Sequence, residues 1–93
     1  MCGICGWLSN TSANKIDRSV IESMNATLAH RGPDDEGIAE FARAALAMSR
    51  LSVIDLDTGQ QPIANGHKNC WIVFNGEIYN YQDIRQQLIA RGY

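Results

Sequence analysis

The chain turns apolar at its second residue. Cys2-Gly3-Ile4-Cys5-Gly6-Trp7-Leu8 carries no charge and two glycines, which suits a buried strand that other backbone approaches closely. Later segments must cover that strand, and there is little chain to do so: 93 residues make at most one small domain. With 45% hydrophobic and 19% charged residues the composition is that of a chain with a core, not of a disordered one.

Residues 9–14 are polar and read as a loop. Val20, Ile21, Met24 and Leu28 recur at helical spacing and predict a helix over 17–29, with Arg18, Glu22 and Asn25 on its polar face. Arg31-Gly32-Pro33-Asp34-Asp35-Glu36-Gly37 reads as a turn, because Pro33 biases Gly32 away from helix. Its acidic run reads as solvated rather than metal-binding. Strands are predicted over 38–41 and 45–55, paired as a hairpin, with a second turn at 56–59. Residues 60–68, with Pro62 and Asn65-Gly66, read as connecting loop. The dense apolar run 70–74 is expected to be a central strand. A last helix starts at an Asn80 N-cap with Asp83 three residues on, buries Ile84, Leu88 and Ile89, and ends before Gly92 at C′. Two helices on four strands make an α/β chain of the α+β kind and leave a sheet edge or face uncovered, so further chain is expected.

A net charge of −2 with no basic stripe argues against a nucleic-acid partner. No segment approaches the ~20 apolar residues of a membrane span, and no basic leader precedes one. Three cysteines are an odd count, incompatible with a complete disulfide framework and suited to a reducing compartment, read as the cytoplasm.

Removal of Met1 would make Cys2 the N-terminal residue, placing a thiol nucleophile and a base on one amino acid. A free α-amine titrates at about 7.7 to 8.0 and can take the thiol proton without a histidine. The plain alternative is an ordinary core thiol. Cys2-x-x-Cys5 with His67-x-x-Cys70 has zinc-like spacing, but Cys5 alternates to the strand face opposite Cys2 and Cys70 opens a strand, whereas zinc ligand pairs sit on tight turns. No metal site is expected. A thioredoxin-like pair lacks its helix. His30 is a general base or a helix-end residue complementing the dipole. No glycine-rich phosphate loop occurs, so no ATP site is expected. Asn75-Gly76 follows the most apolar run and offers a side-chain amide and an unshielded N–H, an oxyanion hole or simply a tight turn. Arg50 lies inside a strand-like stretch, as a carboxylate clamp or an edge-strand solubility device.

Met1-Cys2-Gly3-Ile4, His30-Arg31-Gly32-Pro33-Asp34, Ser49-Arg50-Leu51-Ser52-Val53-Ile54-Asp55, Gln61-Pro62 and Asn75-Gly76-Glu77-Ile78-Tyr79-Asn80 together resemble the N-terminal glutaminase domain of class II glutamine amidotransferases, in the glutamine-hydrolysing asparagine synthetase branch. Other branches carry a Trp-Ala-Thr-His-Gly type segment after the arginine, where this chain has Leu51 to Asp55. The resemblance implies an N-terminal-nucleophile hydrolase fold, an αββα sandwich of mainly antiparallel sheets, of which this chain matches the first half. It implies Cys2 as nucleophile, Asn75 and Gly76 as oxyanion donors, and Arg50 as clamp on the glutamine α-carboxylate. Leu51, Ser52, Val53 and Ile54 would line the substrate, the last two through backbone groups, with Glu77 near the α-amine. The family's domain runs on past position 93, supplies a further aspartate for the α-amine, and is followed by a synthetase domain that uses ATP and magnesium. The expectation is therefore a partial domain over 1–93, without cofactor of its own. Its substrate would be glutamine, and its protein partner a second copy or the synthetase domain. A remnant that binds glutamine or another subunit without turnover is the competing expectation.

Overall fold

The computed structural model describes residues 2–11, 17–51 and 59–93. The opening apolar run forms β1 (Gly3–Leu8), followed by α1 (Arg18–Ala26), β2 (Asp35–Glu40) and β3 (Ala44–Arg50). These strands make one antiparallel sheet in the order β1-β3-β2. Strands β2 and β3 form the expected hairpin, but β2 starts at Asp35 rather than Ile38, inside the stretch read as a turn, because pairing with β3 runs from Asp35 opposite Arg50 to Glu40 opposite Ala45. The first strand then pairs along the other edge of β3, with Gly3 opposite Ser49 and Leu8 opposite Ala44.

Strand alternation puts Ala45 and Ala47 on the face that meets α1. Their small side chains let Ile21 seat fully buried between helix and sheet, with Cys5, Trp7, Met24 and Ile38 around it. Asn25, read as part of the polar face, is instead 1% exposed, beside a Ser49 that is 2% exposed. The Ser49 hydroxyl lies 3.2 Å from Asn25 Oδ1 and 3.3 Å from its carbonyl oxygen. The Asn25 amide reaches the Met48 carbonyl at 3.5 Å. A buried polar pair is tolerable because each member satisfies the other. Val20, counted with the apolar face, stays exposed.

The opposite face carries Gly37, Ala44 and Leu46. Over it lie Gln61, whose carbonyl presses on Gly37, and Trp71, whose ring meets Phe41 edge-on with centroids 5.5 Å apart. The layers thus run helix, sheet, sheet, an α+β arrangement with antiparallel pairing as the resemblance implies.

Three further expectations need correction. The stretch read as loop at 60–68 contains β4 (Ile63–Ala64), which pairs with β5 (Trp71–Ile72). Their connection is closed by the Asn65 carboxamide oxygen accepting from the N–H groups of Asn69 and Cys70. The run 70–74 is therefore a two-residue strand in a two-stranded ladder, not a central strand, because the main chain of Phe74 is bonded by a side chain instead of a neighbouring strand. Lastly, α2 (Tyr81–Ala90) has its Asn80 N-cap position and Asp83 in the first turn, but buries no residue. Ile84, Leu88 and Ile89 line an open groove with Ile78, Tyr81 and Tyr93.

The helix ends as its glycine foretells. Gly92 takes φ 92°, its N–H bonds the Ile89 carbonyl and the Tyr93 N–H bonds that of Leu88, both at 3.0 Å, the paired bonds of a Schellman motif. Among the described residues no helix is long and apolar enough to cross a membrane.

Candidate active site

Cys2 lies just ahead of β1, and three segments converge on it. Gly3 is the reason the first can come close: a Cβ there would stand 3.0 Å from that of Leu28, so the turn after α1 packs directly on the start of the strand. That turn carries Arg31, whose Nε donates to the Cys2 carbonyl at 3.2 Å. Gly32 then lets the chain rest on the main chain of Ser49 and Arg50, where any side chain would overlap backbone. The Asp34 N–H fastens the same turn to the Arg50 carbonyl at 3.1 Å.

The second segment follows β5. Asn75 is brought from the far end of the sequence so that Nδ2 donates to the Cys2 carbonyl at 3.0 Å. The two lone pairs of that oxygen are thus shared between a guanidinium and a carboxamide. An amide nitrogen has two hydrogens, so Asn75 keeps a second donor for another acceptor. Phe74 lays its ring on Gly76, where an added Cβ would meet it at 2.9 Å. The third segment is the end of β3, where the Cys2 thiol stands 4.0 Å from the Leu51 carbonyl. Cys2, Gly3, Ile4, Leu28, Arg31 and Asn75 line an open cleft of about 280 Å³.

Arg50 ends the central strand of its sheet, which removes the edge-strand reading. Its side chain is 12% exposed and 3.9 Å from the Asp35 carboxylate, its cross-strand neighbour. Asp35 belonged to the run read as solvated; it is instead half-buried at the start of β2 because pairing draws it against the guanidinium. Gly59, at φ 76°, passes close to the same guanidinium. Gly76 and Glu77 are exposed, and Ser52, Val53 and Ile54 lie outside the described residues. His30 is exposed just beyond α1.

The other cysteines part company with Cys2. Cys5 packs against the Ile21, Ala45 and Ala47 core, where burial pushes its thiol up, while Cys70 is exposed. Among the described residues no three His, Cys, Asp or Glu side chains gather to hold a metal ion.

A family model described as a glutamine amidotransferase domain matches residues 1–93. The chain belongs to this family. Among relatives of this amidotransferase domain, asparagine synthetase [glutamine-hydrolyzing] 1 of Bacillus subtilis is 40% identical over 95 residues, taking in 100% of the chain and 15% of that protein. The probable asparagine synthetase of Dictyostelium discoideum is 37% identical over 93 residues, 99% of the chain and 16% of its own length. The nodule asparagine synthetase of Pisum sativum is 38% identical over 88 residues, 95% of the chain and 15% of its own. The chain thus spans about 15% of the length of these curated relatives.

Two site residues had no assigned part in the sequence reading. Arg31 sits inside a quoted motif, but nothing in its spacing says that it folds back to the carbonyl of residue 2. Gln61 likewise belongs to the Gln61-Pro62 pair, whose reach to Phe74 is a matter of tertiary placement.

Proposed function

We propose that the domain hydrolyses the side-chain amide of glutamine, with Cys2 as the N-terminal nucleophile once Met1 is removed. The α-amine takes the thiol proton, and the thiolate attacks the amide carbon to give a tetrahedral oxyanion. The proton passes to the leaving nitrogen, ammonia departs and a γ-glutamyl thioester remains. Water adds to the thioester and releases glutamate, returning the thiol. Asn75, through its second amide hydrogen, and the Gly76 N–H are the donors to the oxyanion. Arg50, already oriented by Asp35, clamps the α-carboxylate through its planar fork. Leu51, Ser52, Val53 and Ile54 line the bound substrate, with Glu77 at its α-amine.

The observation that carries this reading is the Asn75 amide held on the carbonyl of Cys2, since it sets an oxyanion donor beside the one cysteine that can own its base. The relatives are named as glutamine-hydrolysing asparagine synthetases, which supports ammonia passing to an activated aspartate. ATP and magnesium would act in that synthetase reaction, on residues other than these 93. The deciding experiment is glutamate release from glutamine by purified protein. Cys2→Ala should abolish it, and full activity in that variant would sink the proposal.

A further inference from the structure

Gln61 joins the chemistry through its side chain. Its Oε1 accepts from the Phe74 N–H at 2.6 Å and its Nε2 donates to the Phe74 carbonyl at 3.1 Å. A carboxamide offers one acceptor and donors in one plane, so it occupies both main-chain groups of Phe74 as a neighbouring strand would. We propose that Gln61 is a positioning residue for the oxyanion donors, setting Asn75 and Gly76 through Phe74. This rests on the glutaminase reading above.

The mechanical argument follows the contacts. Gln61 is itself fixed, because its carbonyl occupies the space a side chain at Gly37 would need, and Pro62 Cδ would lie 3.2 Å from a Cβ there. Phe74 is the residue before Asn75, and its ring bears on Gly76. Asn75 then bonds Cys2, which leads into β1 of the sheet that contains Gly37. Donor and nucleophile are therefore referred to one sheet from both ends. One hydrogen bond would leave Phe74 free to swivel, whereas two hold the peptide units on both sides of it, including the one that leads into Asn75. Oxyanion donors act only where the developing charge appears, and a 1 Å misplacement can cost about 10²-fold in rate.

The test is a double-mutant cycle with Gln61→Met, which keeps length and loses both bonds, and Asn75→Ala. Gln61→Met should lower kcat by at least about tenfold with KM for glutamine within about twofold. In the Asn75→Ala background the same change should cost clearly less than in wild type, because one of the two donors it positions is already gone and only the Gly76 N–H is left to misplace. A role in general packing would instead multiply through. Unchanged kcat, a loss confined to KM, or full multiplication with Asn75→Ala each overturns the proposal. Should Gln61→Met fail to fold, Gln61→Glu keeps the acceptor and sets an oxygen against the Phe74 carbonyl. Its Asn75 carboxamide, followed by NMR, should lose its contacts to Cys2; retained contacts overturn the proposal. Glutaminase activity in Cys2→Ala strikes the chemical reading, whereas the NMR contacts separately decide whether Gln61 holds Asn75.

Discussion

Asn75 Nδ2 and the Cys2 carbonyl oxygen are 3.0 Å apart although 73 positions separate them in the chain. The bond joins the run after β5 to the start of β1. It joins the Asn75 carboxamide to the Arg31 guanidinium on one carbonyl, and it uses one of the two hydrogens of the Asn75 amide.

Asn75→Ala removes the other hydrogen along with the tether. Because the charge on the substrate oxygen is largest in the transition state, kcat should fall by about 10² to 10³, some 3 to 4 kcal/mol, with little change in KM. Steady-state glutamate release checks this. If kcat survives, Asn75-Gly76 is only a turn.

The mature protein should begin at Cys2, since an acylated or extended amine cannot take the thiol proton. Intact mass should therefore lack Met1, and active protein that retains it fully would falsify the mechanism. Cys5→Ala and Cys70→Ala should leave turnover within a few-fold, because neither thiol has its own amine, one lying in the core and the other on the surface. Equal losses at all three would point to packing.

Arg50 and Asp35 should act on binding. Arg50→Lys keeps the charge but loses the fork, so KM for glutamine should rise more than kcat falls. Asp35→Asn leaves the guanidinium less firmly oriented and should raise KM by a smaller factor. A kcat defect without a KM change in Arg50→Lys would remove it from substrate clamping.

How much of this was legible beforehand depends on whether the cause was local. The first strand, a helix within 17–29, a hairpin of β2 and β3 and the Gly92 ending follow from periodicity and turn chemistry, which act over a few residues. Helical spacing puts Asn25 on the polar face because it cannot see the serine on β3 that meets it. Apolar density makes 70–74 look like a central strand, yet it says nothing about who supplies the backbone partners, and at Phe74 a glutamine side chain does. Cys2, Arg50 and Asn75 stand out by residue type and by their neighbours in the sequence, whereas the Asp35 and Arg31 contacts exist only once the chain is folded.

Gly32 has no room for any side chain, since a Cβ there would overlap the main chain of Ser49 and Arg50. Backbone cannot rotate away as a side-chain tip can, so Gly32→Ala should cost about 1 to 3 kcal/mol, like other overpacked sites. Urea denaturation should place its midpoint below that of wild type. An unchanged midpoint would mean that the 31–34 turn does not rest on β3.

The Asn25 and Ser49 pair offers a test of the core. Asn25→Ala would leave the buried Ser49 hydroxyl with only the main-chain carbonyl of residue 25 as acceptor and would take its amide from the Met48 carbonyl, a loss of about 1 to 3 kcal/mol. Ser49→Ala should cost less, because a methyl replaces the hydroxyl and Asn25 keeps its bond to Met48. In the double variant both orphaned groups of the pair disappear together, so the combined loss should be smaller than the sum of the two, with a coupling of at least about 0.5 kcal/mol. Denaturant melts of the four proteins give that coupling directly. Simple additivity would show that the hydroxyl and the carboxamide are satisfied elsewhere, and that α1 is held on β3 by Ile21 and its alanine neighbours alone.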